Sequence, residues 1–285
     1  MVIYKSNRKN INYKSRYIDS APFRGIKISE KTRIEKLTLL EKCLALQELL
    51  PENVAFSHST AIYLLNIGTP WGIDTDEIIH LTIINNKKRI RRPNVKTHYI
   101  KIKPTEKIPI IKINGLRVVA PELLWFSMVR ELTLQESVVL GSLFVSNNHE
   151  LTTLKKISNF VNTRYNCNGH KLALKQLKQI IVGTDSPMET RIHTQIKKFG
   201  LPNFQPNYPI CIDDEIIMLA DGALPDKKIC FEYDGREFHS EPAKMISDKR
   251  KRSLVFKAGW SVIVLTYEDY LNPQKYIHII EELLE

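Results

Sequence analysis

A chain of 285 residues is longer than one hydrophobic core usually organises, so two domains are expected, and a composition of 43% hydrophobic and 26% charged residues is that of an ordinary globular protein and lends nothing to a disordered or membrane reading. No apolar run approaches the ~18–20 residues that cross a bilayer, and the basic start at Met1–Lys14 has neither the apolar stretch nor the cleavage site of a secretory signal, so a cytoplasmic protein with no membrane partner is expected. The formal charge of +11 lies mostly in the first half, where residues 1–150 hold 23 Lys and Arg against 14 Asp and Glu while 151–285 hold 19 against 17, and such an excess favours a polyanionic partner.

Residues 1–28 carry clustered Lys and Arg with little apolar period and read as a basic arm. From Ser29 the apolar positions Ile34, Leu37, Leu40, Leu44 and Leu46 recur at helical spacing until Pro51, which predicts an amphipathic helix closing a first segment, 1–50. Segment 51–150 reads as α+β. It opens with a short helix at Thr60–Leu65, a Gly/Pro loop at Gly68–Gly72 and a strand at Ile78–Ile84. Lys87–Lys103 holds eight basic and no acidic residues on two strand-like pieces around Arg91-Arg92-Pro93. A basic hairpin is expected there, with Lys87, Lys88, Arg89, Arg91 and Arg92 as candidate phosphate contacts. Strands at Ile108–Ile113 and Leu116–Val119 flank Asn114-Gly115, a strong hairpin signal. Helices follow from Pro121 and over Glu131–Val145, and 151–183 reads as two further helices connecting the halves. The turn chemistry of Gly183-Thr184-Asp185-Ser186-Pro187 places the boundary of a last domain at 184. Cys43, Cys167, Cys211 and Cys230 show no C-x-x-C pair and no histidine spacing of a zinc site, and read as buried free thiols.

Segment 184–285 reads helix, strand, strand, strand, helix, strand, helix, a mixed α/β unit. Its acidic residues fall at telling points. Glu189 lies in the first turn of the opening helix, Asp221 just after a strand, and Glu232 and Asp234 two apart on the next strand, so that their side chains share a face. Asp221 precedes Glu232 by eleven positions, which lets two short strands and a turn bring the carboxylates side by side. Carboxylate oxygens with water are the ligands of Mg²⁺ or Mn²⁺, and a metal so held can serve phosphodiester hydrolysis. Arg250 and Arg252 read as a solvated helix face, with contact to a DNA backbone as the second reading.

The runs Ser186-Pro187-Met188-Glu189, Ala220-Asp221-Gly222-Ala223-Leu224-Pro225, Phe231-Glu232-Tyr233-Asp234-Gly235 with His239, and Lys257-Ala258-Gly259-Trp260-Ser261-Val262 resemble a bacterial domain family related to the very-short-patch-repair endonucleases of the PD-(D/E)XK superfamily. The resemblance covers about a third of the chain. It implies a restriction-endonuclease-like α/β domain with Glu189, Asp221, Glu232 and Asp234 lining a Mg²⁺ or Mn²⁺ site, and His239 as a proton-transfer or phosphate-contacting group. Asp234 stands where the superfamily carries lysine, so activation of water falls to His239 or to the metal. Pro225-Asp226 imitates the motif's name, yet Asp226 precedes Glu232 by only six positions, and it is expected at an exposed turn.

More loosely, the run Ala55–Ala61, the strand Ile79–Ile83, the segment Arg89–Pro93 and the run Leu116–Pro121 resemble the C-terminal region of AbiEi-type antitoxins. The expected architecture is therefore a mixed α+β N-terminal domain followed by a PD-(D/E)XK α/β domain. The expected function is a metal-dependent DNA endonuclease or nickase of defence, mobile-element or repair type. The alternative is an antitoxin-like DNA-binding regulator in which the nuclease fold persists without turnover. A packing or dimerising role for the first half leaves a homodimer open.

Overall fold

The computed structural model describes residues 3–5, 17–18, 23, 26–29, 37–73, 78–85, 90–235 and 242–285; of 3–5, 17–18, 26–29 and 242–248 it describes the backbone alone. The chain divides into two compact units, Met1–Met128 and Val129–Glu285. Both are mixed α/β. Among the described residues no helix is long and apolar enough to cross a membrane.

In the first unit, β1 (Ile3–Lys5), β2 (Tyr17–Ile18) and β3 (Ile26–Ser29) form a small antiparallel sheet in the order β1-β3-β2. Then come α1 (Leu39–Gln47), β4 (Val54–Phe56), α2 (His58–Leu64), β5 (Ile79–Ile84), β6 (Val95–Ile100), β7 (Ile110–Ile113), β8 (Leu116–Val119) and α3 (Pro121–Met128). Thr38 caps α1 through a capping box with Glu41, which places the helix start inside the longer expected span; residues 30–36 lie outside the described ones. A five-stranded mixed sheet runs β6-β5-β4-β8-β7, and its central strand β4 is buried along its whole length, as a strand covered on both faces must be.

The β7–β8 hairpin turns at Asn114 and Gly115, both at positive φ (49° and 81°), the backbone that a two-residue turn of matching twist demands. The first arm of the expected basic hairpin, at Lys87–Arg89, lies outside the described residues, and the second takes another partner. Strand β6 pairs with β5 in parallel, Ile79 beside Val95 through Ile84 beside Ile100, so the connection between them is a crossover. The register is set where the Ile79 N–H donates to the Asn94 carbonyl, at the turn that Pro93 opens and Asn94 closes with φ 53°. Proline thus works as the entry to a strand and not as the tip of a hairpin.

The second unit contains α4 (Leu134–Phe144), α5 (Leu154–Asn162), α6 (His170–Leu177), α7 (Pro187–Lys198), β9 (Gln205–Ile212), β10 (Glu215–Leu224), β11 (Ile229–Tyr233), α8 (Pro242–Lys257), β12 (Ser261–Leu265), α9 (Tyr267–Leu271) and α10 (Gln274–Leu284). β9, β10 and β11 form an antiparallel meander, and β12 returns through α8 to lie parallel to β11. Side chains alternate along β11 with the strand period of two. Ile229 and Phe231 join Ile192 and Ile196 of α7 and Ile277 and Ile280 of α10, whereas Cys230 turns the other way to Val255 of α8. The sheet is therefore sandwiched by helices. Between β10 and β11, Pro225–Lys227 makes a single 3-10 turn with Asp226 exposed, as expected of that pair. Of the four cysteines, Cys43 and Cys230 are buried as expected, but Cys211 is exposed.

The opening helix of the last domain follows its sequence signals closely. Ser186 caps α7 by accepting from the Glu189 N–H, Pro187 occupies the first turn, and Gly200 at φ 80° ends it. The division of the chain, however, falls at 128/129 and not at 183/184, so the helices expected as a connector belong to the second unit. The reason lies in the packing of α7 on α4. Arg191 donates through Nε to Glu136 Oε1 at 2.9 Å and through Nη2 to Glu136 Oε2 at 2.6 Å, both side chains being almost wholly buried. Ser142 Oγ of α4 also accepts from the Ile181 N–H, and the Asp185 carboxylate accepts from Asn148 N–H and Asn207 Nδ2.

A bidentate pair out of water depends on both partners, because removing one strands the other's charge. Replacing Glu136 by Ala is expected to lower the unfolding free energy by about 3–5 kcal/mol in urea titrations, with the Glu136→Met/Arg191→Met double variant recovering much of that loss. A single-variant loss below about 0.5 kcal/mol would show that the pair does not hold α7 to α4.

Candidate carboxylate site

The site is built where β10 passes over β11. Gly222 pairs with Phe231, and a Cβ at Gly222 would collide with the Phe231 ring and meet His193 Cε1 at 3.0 Å. Glycine is required here for close approach, not for an unusual φ. One residue earlier, Asp221 is gripped twice. His193 of α7 donates from Nε2 to the Asp221 backbone carbonyl at 2.8 Å, and the Tyr233 backbone N–H donates to Asp221 Oδ2 at 2.6 Å. The first grip fits a neutral imidazole, since burial pushes the His193 pKa down to about 4. In the second, a carboxylate takes an N–H that would otherwise face the neighbouring strand.

Asp221 is half-buried, and its carboxyl is pushed up to about 7, first by loss of solvation and then by the negative charge of Glu189, with Glu232 and Asp185 adding to it; the Tyr233 N–H only partly offsets these. Glu189 is buried in the first turn of α7 and is likewise raised by desolvation, against the stabilising N–H of Asp185, which it accepts at 2.8 Å. Glu232 and Asp234 face α8. Arg252 donates from Nε to Glu232 Oε2 at 2.7 Å and stands 3.7 Å from Asp234 Oδ2 through Nη2.

Asp221, Glu189 and Glu232 therefore share one electrostatic neighbourhood. Convergence stops short of a closed ligand cage. Among the described residues, no three carboxylates bring an oxygen each within 4.8 Å of one another. Arg252 departs from the solvated face expected of it, because helix α8 directs it to the paired acids; Arg250 on the same helix is exposed. His239, Lys87, Lys88 and Arg89 lie outside the described residues. Arg91 and Arg92, with Ile90, Pro93, Val95 and Thr97, line an open surface groove of about 540 Å³ in the first unit.

Two groups escaped the sequence. His193 follows Glu189 at i+4 on α7, a helical spacing that could have marked it as facing the same site. His58, His80 and His98 of the first unit meet in space, but at 22 and 18 positions apart no short metal spacing announces them. The carboxylate set suits a hard dication, whose charge would offset the desolvation and the repulsion that together raise the Asp221 carboxyl.

Because the Asp221 carboxyl is raised from 3.8 to about 7 in the folded protein, the unfolded chain releases this proton first, and the folded state loses stability as pH rises from about 4 to about 7. Asp221→Asn removes that penalty and keeps an oxygen for the Tyr233 N–H. In EDTA, its melting temperature is expected to match wild type near pH 4 and to exceed it at pH 8. Equal differences at both pH values in differential scanning calorimetry would show that Asp221 titrates normally.

No family model matches the chain, and no solved structure matches it. Two relatives, one in each of two strains of Mycobacterium tuberculosis and both described as uncharacterized proteins, are 29% identical over 85 residues. The match covers 30% of this chain, which spans about a third (31%) of the length of these curated relatives.

Proposed function

We propose that the second unit is a divalent-metal-dependent nuclease that cleaves DNA, with Asp221 and Glu232 as metal ligands, Glu189 close behind them and Asp234 at the rim. The observation that carries this reading is Asp221, whose backbone carbonyl accepts from His193 and whose carboxyl accepts from the Tyr233 N–H and is pushed up to about 7 beside three further carboxylates. Negative charge crowded in this way is costly without a cation and useful with one. The element order from α7 to β12, helix, three antiparallel strands, helix and parallel strand, supports a PD-(D/E)XK-type domain. Bound Mg²⁺ or Mn²⁺ would supply a polarised phosphate and a water of lowered pKa.

The chain's own groups then have separate tasks. Tyr233 N–H and His193 hold Asp221 in place, and Gly222 lets β10 lie close enough for them to reach it. Arg252 holds Glu232 on the α8 side and brings positive charge to where a phosphate would lie. His239 is proposed as the group that passes a proton near the scissile phosphate. One observation favours a second reading. Arg252 already neutralises Glu232 and approaches Asp234, as in a fold whose acids have become structural, and such a protein would be a DNA-binding regulator of antitoxin type.

Supercoiled plasmid incubated with the purified chain separates the two. Relaxation with Mg²⁺ or Mn²⁺, none with EDTA, and loss by a factor of at least about 10² in Asp221→Asn or Glu232→Gln with DNA binding retained is the expected result. Binding without cleavage across metals and DNA forms would transfer the case to the regulator. For the first unit, Arg91→Ala with Arg92→Ala is expected to weaken DNA binding uniformly across sequences and to reduce the slope of log affinity against log salt by about 1–2. An unchanged slope would remove these arginines from the interface.

A further inference from the structure

The sheet of the first unit carries a second cluster of ligating side chains. His80 on β5 and His98 on β6 lie on one face of the parallel pair, where Cα partners are His80 with Lys96 and Thr82 with His98. His80 Nδ1 and His98 Nε2 are 3.0 Å apart, and the His58 ring stacks on that of His98 with centroids 3.5 Å apart. One nitrogen from each imidazole falls within 4.8 Å of the others. His58 is buried and the other two half-buried.

Two local rules are broken to place His58. It takes φ 51°, a left-handed backbone that few non-glycine residues adopt. Its neighbour Ser57 stands at the N-cap of α2, yet the Ser57 hydroxyl makes no capping bond and instead meets His58 Nδ1 at 3.0 Å. An N-cap serine usually satisfies a backbone N–H of the first turn. In the tautomer whose Nδ1–H donates to the Ser57 hydroxyl, the lone pair stays on Nε2, the control that metal-ligating histidines receive from their outer partners. His80 is pinned from both sides, its N–H donating to Thr60 Oγ1 at 2.9 Å and its carbonyl accepting from the Ser57 N–H at 3.0 Å. Beside them the Thr82 hydroxyl is buried with no hydrogen-bond partner among the described residues.

We propose that His58, His80 and His98 form a binding site for a d-block dication of the zinc class, with a position left for water or a further ligand. Three imidazoles with no thiolate select zinc and its neighbours over magnesium or calcium, which prefer oxygen. Zn–N bonds of about 2.0–2.1 Å at tetrahedral angles put ligand nitrogens about 3.3 Å apart, a spacing bracketed by the 3.0 Å contact and the 4.8 Å limit of the whole set. Metal ligation needs neutral imidazole, and burial lowers all three, His58 to about 2 and His80 and His98 to about 4, helped by the nearby Lys96 and, for His58 and His98, by the neighbouring rings. Lys96 opposes a dication, but its side chain is exposed and its repulsion is screened by solvent. Imidazole lone pairs lie in the ring plane, so loading turns one of the two stacked rings out of the stack. A metal-bound water is also the kind of partner that the Thr82 hydroxyl lacks.

This site stands apart from the carboxylate reading of the second unit, and its test is independent of nuclease activity. The full-length chain, dialysed against EDTA and then metal-free buffer, is titrated with Co²⁺ and afterwards with Zn²⁺. The expected result is one equivalent of Co²⁺ giving the visible d–d absorption of imidazole ligation and displaced by Zn²⁺. His80→Gln and His98→Gln, both at half-buried positions, should weaken Co²⁺ binding by more than about a hundredfold, beyond the roughly 10–100-fold that loss of an outer partner costs, whereas Asp221→Asn should leave it unchanged. No cobalt absorption in wild type, absorption that survives in both glutamine variants, or loss on Asp221→Asn alone would overturn the proposal.

Discussion

The buried fork between Arg191 and Glu136 decides where helix α7 lies, and much of the second unit follows from that helix. A guanidinium without solvent accepts few geometries, because each unpaired N–H or oxygen would be left without its lost hydration. Within two residues of Arg191 on the same helix stand Glu189 and His193, the first adding negative charge beside Asp221 and the second holding the Asp221 carbonyl. Opposite them Ile192 and Ile196 enter the core against Phe231 and Ile263. One helix thus carries its apolar contact with the sheet, its ionic contact with α4 and its polar contact with the site. None of the three can shift without the others.

The carboxylate site is unevenly neutralised by one cation, Arg252. Arg252 meets Glu232 at hydrogen-bond distance and approaches Asp234 more loosely, while no basic group faces Asp221 among its strongest electrostatic neighbours, which are acids. Charge is neutralised at one end and accumulates at the other. A pocket with that gradient can bind a dication at its unneutralised end while the arginine stays in place, so the salt bridge and a metal need not exclude one another. The exposed positions of Arg250 and Asp226 show how little proximity in sequence says about a site: each lies within six residues of a member of the cluster and takes no part in it.

The first unit departs from local rules at His58 in a way the second does nowhere at Asp221. There a left-handed residue, a cap hydroxyl turned away from its helix, stacked imidazoles and a buried hydroxyl without a partner coincide within one small region. Folds tolerate such departures mainly where the surroundings over-determine them. The β4 and β5 strands supply that constraint, since both are largely buried and β4 is paired with β5 along its whole length, Val54–Phe56.

The sequence by itself determined most of the elements and nearly all of the order in the second unit. Ser186, Pro187 and Gly200 bound α7 through cap chemistry, Asn114-Gly115 closed its hairpin through positive φ, and alternation along Ile229–Tyr233 separated the two faces of a strand. These are short-range effects, settled within a few residues. Glu189 in the first turn of α7 and Glu232 near the end of β11 stand where local signals put them, whereas Asp221, expected just after a strand, lies inside β10, which runs on to Leu224. Tertiary structure alone decided the parallel pairing of β5 with β6, the place where the chain divides, the capture of Glu232 by Arg252 and the meeting of three distant histidines. Each depends on which surfaces pack together after the elements exist, and a parallel strand or a buried ion pair is stabilised by partners far away in sequence that no local pattern records.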